Sequence, residues 1–268
     1  MHTARVAETL QAAVDQSLGR DSATAGERRQ LVLVRIVDDI VELSIDSSGE
    51  LLHRRGYRTH VAAAPLRETL AAGILNLLAW NGTESLADPL CGTGTFLLEG
   101  ALMATRKAPG LDRDFAFMHW PGWRPGLWQQ LCEEARRGEY PCPAGISGAD
   151  SDANAVAAAC VNLAQAGLEH AVTLEQRALE LQPVHDGGGL VVCNPPYGKR
   201  LVTAEPLELY FAVLGRELQR AYPGWRKALL CPEPGLAKAT GLPLSKVADL
   251  DNGGLRVGLF ATKAGAGD

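Results

Sequence analysis

The stretch SLADPLCGTGTFLL, residues 85–98, carries the reading of the fold. A short strand-like run, Ser85–Ala87, leads to Asp88, a turn holding Gly92 and Gly94 follows, and an apolar helical pattern begins near Thr95. Glycines there let the backbone come close to a ligand, and the helix behind them offers free N–H groups. The turn is only G-x-G, because Leu97 stands where a dinucleotide fingerprint has its third glycine. It also lacks G-K-[ST], which excludes a phosphate-gripping P-loop. A plain strand-to-helix turn with no ligand is the alternative reading of this motif alone.

Working downstream, strand-like runs at 145–149, 172–176, 190–193, 227–231, 246–250 and 255–262 alternate with helical patterns near 95–107, 151–166 and 206–221. That alternation predicts an α/β fold with a parallel sheet. Asp251-Asn252-Gly253-Gly254 between the last two runs predicts a closing antiparallel hairpin. Residues 108–142 interrupt the alternation and read as an insertion with one helix near 126–137. Its Trp120, Trp123 and Trp128 are expected to pack the insertion rather than stack on bases.

Upstream, residues 3–18 read as an amphipathic helix, and runs at 31–37 and 40–45 joined by Asp38-Asp39 as a hairpin. HRRGYRTH (53–60) concentrates three Arg and two His around Gly56-Tyr57. LRETLAAGILNLLAW then has helical periodicity until Asn81-Gly82 stops it.

The 268 residues are 46% apolar, enough for a sizeable core, and the net charge of −5 excludes a polybasic nucleic-acid binder. A local basic patch remains compatible with RNA. The six cysteines stand singly without a C-x-x-C, which excludes a zinc ribbon and suits a reducing cytosol. The six His show no metal spacing, so no metal is expected. The N-terminus lacks a signal-peptide core, and the apolar run 70–80 is broken by Asn76 and too short for a bilayer. A cytoplasmic protein with no membrane partner is expected.

Two further motifs carry chemistry. In GADSD (148–152), a carboxylate at the end of the second strand can accept hydrogen bonds from both hydroxyls of a ribose. It lies well beyond the roughly 20-residue spacing of a dinucleotide fold, a distance the insertion explains. The alternative is that Asp150, Ser151 or Asp152 merely caps the next helix.

The third motif, Asn194-Pro195-Pro196-Tyr197-Gly198, follows the apolar run Leu190–Cys193. Two prolines at a strand exit fix the backbone. Asn194 then presents a side-chain oxygen and Pro195 a carbonyl, two acceptors for one exocyclic amine. Their pull on the amine hydrogens turns the nitrogen lone pair towards an electrophile. Tyr197 offers a face for a nucleobase, worth about 1–3 kcal/mol of stacking. No strong base is required beforehand, since the proton can leave after the methyl arrives.

DPLCGTGTF, GADSD and NPPYG on successive strands resemble the class I S-adenosylmethionine (AdoMet)-dependent methyltransferases that act on exocyclic amines of nucleobases. The resemblance implies a Rossmann-like sheet of seven strands whose last hairpin is antiparallel. More narrowly, HRRGYR, APLRETLAA, DPLCGTGTFLLEGALMATRKAPGL and NPPYGKRL resemble RlmL-type 23S ribosomal RNA guanine-N2 methyltransferases, which carry a THUMP RNA-binding domain before the catalytic one. By that resemblance Asp88, Cys91, Gly92, Thr93, Gly94 and Thr95 line the AdoMet pocket, and Asp150 and Ser151 serve its ribose. Asn194, Pro195, Pro196 and Tyr197 hold the target base. Relatives often place an Asp after the third strand near the adenine; this chain has Arg177-Ala178-Leu179-Glu180, so that contact is either lost or moved to Glu180.

The resemblance also implies that residues 1–64 form a partial, THUMP-like α+β segment, short for a whole such domain, and that 65–268 form the methyltransferase domain. Arg54, Arg55, Tyr57 and Arg58 are expected to meet RNA phosphates, and Lys199 and Arg200 to steady the flipped nucleotide. The expected activity is methylation of guanine N2 in 23S rRNA or a large-subunit precursor by a monomer. Two other readings stay open: adenine-N6 methylation of DNA or RNA, and a catalytically weak RNA-binding or ribosome-assembly factor.

Overall fold

The computed structural model describes residues 3–18, 30–58, 66–196 and 206–263. In chain order the elements are α1 (Thr3–Leu18), β1 (Val32–Val37), β2 (Ile40–Ile45), α2 (Glu68–Leu77), β3 (Ser85–Asp88), α3 (Thr95–Thr105), α4 (Pro125–Arg137), β4 (Ile146–Asp150), α5 (Ala153–Gln165), β5 (Val172–Gln176), β6 (Gly189–Cys193), α6 (Leu207–Ala221), β7 (Arg226–Cys231), α7 (Pro234–Ala239), β8 (Leu244–Asn252) and β9 (Leu255–Thr262). The chain divides into two compact units: Met1–Glu50 with Asp114–Trp123, and Leu51–Arg113 with Arg124–Asp268.

In the first unit β1 and β2 pair antiparallel from Val32↔Ile45 to Val37↔Ile40. Asp38 and Asp39 both adopt left-handed backbone, φ 50° and 61°, the pair of conformations that matches hairpin twist. Part of the expected insertion belongs here. Ala116 and Phe117 donate backbone N–H groups to Ser48 and Ser47, and Trp120 Nε1 donates to Gln30 Oε1 at 2.7 Å. Trp123 meets Phe117 edge-on at 5.5 Å, a packing contact within the insertion.

The second unit holds a seven-stranded sheet in the order β5-β4-β3-β6-β7-β9-β8. Its first five strands are parallel, and β9 joins β7 antiparallel with β8 outside it. The parallel strands are short continuous apolar runs because both faces are covered. Leu190 and Val192 of β6 point into the core beside α2, α3 and α5, while Val191 and Cys193 point into the core of α6 and α7. All four are at most 1% exposed.

Two details lay outside the sequence reading. α7 was not expected, although Pro234 sits at its first turn, where a proline costs no hydrogen bond. β8 runs Leu244–Asn252, past the expected 246–250, with a register shift between Lys246 and Ala248. The contact of α6 with α7 depends on Gly215: a Cβ there would lie 1.9 Å from the Thr240 carbonyl oxygen. Backbone cannot step aside as a side chain does, so Gly215→Ala should cost about 3 kcal/mol, read as a fall in the urea midpoint at unchanged slope.

Candidate active site

The chain leaves β3, builds outward through β4 to β5, then crosses back to β6 on the other side of β3. The strand order reverses there, and a crevice at such a switch point is where open α/β sheets bind ligands. The C-terminal ends of β3, β4 and β6 carry Asp88, Asp150 and, one residue on, Asn194. All three chemical motifs therefore converge on one edge of the sheet.

Asp88 is 2% exposed and accepts the Leu90 N–H at 3.2 Å. Burial pushes its carboxyl up to about 8; the Leu90 bond opposes this and the Asp150 charge adds to it. Between about 4 and about 8 the folded chain keeps a proton there that the unfolded chain releases. Stability present below about 4 is thus lost as pH rises to about 8, and no further beyond. Asp88→Asn, neutral throughout, is expected to melt with wild type near pH 4 and above it at pH 8. Coincident melting curves at pH 8 would contradict this.

The glycine turn is pinned from the next strand. Gly92 N–H donates to Asp150 Oδ2 at 2.8 Å, and Cys91 N–H to the Ala149 carbonyl at 2.9 Å. Gly92 and Gly94 have φ of 53° and 83°; a Cβ at Gly94 would crowd Ala159 Cβ at 3.2 Å, whereas one at Gly92 would meet no atom within 4 Å. Thr93 and Thr95 are buried, as is Cys91, whose thiol burial pushes up, with the charges of Asp88 and Asp150 adding. Asp150 also accepts the Asp152 N–H through Oδ1 at 3.0 Å, and Ser151 beside it is exposed.

The cap of α5 falls to Asp152, whose Oδ1 accepts the Asn154 N–H at 2.9 Å. Asp150 is thereby left to the turn. Glu180 is exposed in a 3₁₀ turn, Leu179–Leu181, that Arg220 clamps by donating to the carbonyls of Glu180 and Gln182 at 3.1 and 2.9 Å.

Asn194 carries the most telling feature. Its Oδ1 is buried with no hydrogen-bond partner among the described residues. A buried acceptor left unpaired costs about 1–3 kcal/mol. Asn162 Oδ1 and nitrogens of Arg58, Gln182, His185 and Trp225 share that state among the described residues. Asn194 Oδ1 is set apart from them by its place at the end of a strand beside the glycine turn. Pro195 is buried and Pro196 half-buried; Tyr197, Lys199 and Arg200 lie outside the described residues.

Two site residues went unnoticed in the sequence. Asn162 of α5, fully buried, donates through Nδ2 to the Thr93 carbonyl at 3.3 Å and holds the turn from behind. Tyr210 of α6 packs against the core cluster that holds Cys193 and Leu179, and its phenol is raised by burial first, then by the charges of Cys193, Glu180 and Asp150. Neither has a local motif; an Asn inside an apolar helix was the one available signal for Asn162.

The HRRGYR cations are placed differently from expectation. Tyr57 is 7% exposed and donates its OH to Glu99 at 2.9 Å, and Arg55 pairs with the same carboxylate at 3.1 Å. Arg58 pairs with Glu68 at 3.1 Å. These three side chains are spent inside the second unit rather than offered to RNA phosphates, because two buried carboxylates demand partners. Arg54 is exposed. Among the described residues no three His, Cys, Asp or Glu are grouped to hold a metal ion, and no helix is long and apolar enough to cross a membrane.

Residues 55–257 match the family model described as RMKL-like, methyltransferase domain (UPF0020). The ribosomal RNA large subunit methyltransferase K/L of Cellvibrio japonicus is 42% identical over 237 residues, 83% of this chain and 32% of that protein. The enzyme of the same name from Legionella pneumophila (strain Lens) is 37% identical over 246 residues, 90% of this chain and 35% of that protein. The chain thus spans about a third of the length of these curated relatives. Among solved structures, SMU.472 complexed with SAH is 29% identical with a TM-score of 0.82, covering 95% of this chain and 68% of that one. A predicted N6-adenine-specific DNA methylase from Listeria monocytogenes str. 4b F2365 is also 29% identical, with a TM-score of 0.79 and coverage of 97% and 67%.

Proposed function

The chain belongs to the RMKL-like methyltransferase domain family, and from that premise we propose that it methylates the exocyclic N2 of guanine in large-subunit ribosomal RNA. The observation that carries the reading is the buried Asn194 Oδ1 at the end of β6, without a hydrogen-bond partner among the described residues and beside the strand that ends in the glycine turn. An acceptor kept dry and unpaired is a site waiting for a donor, and an exocyclic amine brings two N–H groups.

The residues present fit AdoMet, the cofactor. The surface above Gly92 is open, and the carboxyls of Asp88 and Asp150 stand at the ends of adjacent strands. Asp150, Ser151 and Glu180 are the groups for its ribose and adenine side; Cys91 and the Gly92–Thr95 backbone cradle the remainder. When bound, AdoMet supplies an electrophilic methyl group.

The chain's own residues do the rest by position. Asn194 Oδ1 and the Pro195 carbonyl accept the two amine hydrogens and set the nitrogen lone pair in one direction. The prolines hold both acceptors still, so little order is lost at the moment of reaction. Tyr197 stacks on the base once it has left its helix. The relatives named as ribosomal RNA large subunit methyltransferases support RNA as the substrate class, and Lys199 and Arg200 after the motif suit its backbone.

The test is to incubate the protein with labelled AdoMet and ribosomal RNA from cells lacking the native modification, then digest and identify the labelled nucleoside by mass spectrometry. N2-methylguanosine is expected. N6-methyladenosine overturns the proposal in favour of the adenine reading. No label with wild type and with Asn194→Ala alike overturns it in favour of an RNA-binding factor.

A further inference from the structure

Arg58 is separated from the other cations of its segment by where it reaches. Arg55 and Tyr57 both go to Glu99, one turn into α3. The Arg58 guanidinium instead spans the first turns of two helices. Its Nε lies 3.1 Å from Glu68 Oε1 at the start of α2, and its Nη2 donates to Thr95 Oγ1 at 2.6 Å. Both Nη atoms also approach the Leu66 carbonyl at 3.4 Å. Arg58 and Glu68 side chains are 10% and 4% exposed.

A buried ion pair is a poor way to gain stability, because desolvation consumes most of the attraction and an apolar pair holds two helices as well. What an apolar pair cannot supply is a directed bond to one hydroxyl. Thr95 is the first residue of α3, immediately after the left-handed Gly94 that closes the glycine turn. The turn is already held at Gly92 by Asp150 and at Thr93 by Asn162, both from β4 and α5. Arg58 supplies a third anchor from the opposite side.

We propose that Arg58 is a positioning residue for the cofactor turn: by holding Thr95 Oγ1 it fixes the start of α3, and with it the N–H groups that receive AdoMet. The inference rests on the reading that this turn is the AdoMet site. Glu68 holds the guanidinium at that spot by opposite charge, the Arg58 Nε having no hydrogen-bond partner among the described residues, and the directed bond is the one to Thr95.

The test is calorimetric titration of S-adenosylhomocysteine into wild type, Arg58→Lys, Thr95→Val and the double variant, below their melting temperatures. Thr95→Val keeps the side-chain volume and deletes the acceptor; Arg58→Lys keeps the charge and loses the fork. Each single change is expected to raise Kd about 5- to 20-fold, and the double no more than the weaker single, because both break one bond. The KM for AdoMet rises by the same factor, with kcat within about twofold. Singles that bind like wild type overturn the inference, as do single effects that multiply in the double. If Arg58→Lys does not fold, Arg58→Gln, which keeps a side-chain donor without the charge, takes its place in the cycle and is read in the same way. A wild-type chain that fails to bind S-adenosylhomocysteine overturns the AdoMet reading itself, and the inference with it.

Discussion

Asn194→Ala is expected to lower kcat by about 10²- to 10³-fold while the protein melts no lower than wild type. The rate loss follows from the role of Oδ1 as one of two fixed acceptors. A preorganised hydrogen-bond partner in a dry site is worth about that factor, since water cannot replace it. The stability side runs the other way from most buried substitutions. Oδ1 has no partner among the described residues, so its removal relieves a desolvation cost and offsets the small cavity left behind. Single-turnover methylation beside thermal melts gives both numbers. Lost activity with a lower melting temperature would make Asn194 a packing residue, and near-normal activity would remove it from the reaction.

Arg55→Ala is expected to destabilise the fold by about 3–5 kcal/mol at pH 8, the usual cost of stranding a buried charge. Glu99 is 2% exposed and Arg55 13%, so solvent barely screens the pair. The Glu99 carboxyl already lies above its ordinary value, because burial outweighs the pull of Arg55 and Tyr57. The folded chain therefore keeps a proton longer than the unfolded chain, and stability present at low pH is lost as pH rises through the folded value. Without Arg55 that value climbs further and the window widens upward, so the loss is smaller at pH 5 than at pH 8. Urea melts at both pH values check the sign. Equal losses at the two pH values would place the damage elsewhere.

These expectations differ in how far they could be seen in the chain itself. Alternating apolar runs, the G-x-G turn, GADSD and the proline-locked NPPYG are local patterns. Each places its chemistry at a strand end wherever the strand goes, so Asp88, Asp150 and Asn194 could be chosen before any coordinates. The competing roles within GADSD could not be divided, because a cap and a ligand carboxylate look alike in sequence. Only the placement of Asp152 under the Asn154 N–H freed Asp150 for the glycine turn. Within HRRGYR, the inward turn of Arg55, Tyr57 and Arg58 is hidden from the sequence for a related reason. A dense basic-aromatic cluster reads as a surface for phosphates unless buried carboxylates elsewhere in the chain claim it. Glu68 and Glu99 lie 10 and 44 residues from the Arg that each one binds.

The sequence by itself determined the parallel α/β architecture, the closing hairpin and the three strand ends that carry chemistry. All of these arise from periodicity and turn residues acting over a few positions. Tertiary structure alone decided which carboxylate caps and which holds the turn, that Asn162 and Arg58 brace that turn, and that Asn194 keeps a buried oxygen with no partner among the described residues. Burial and pairing are properties of distant segments brought together. The free energy of a buried charge or acceptor depends on what surrounds it, and no local pattern contains that.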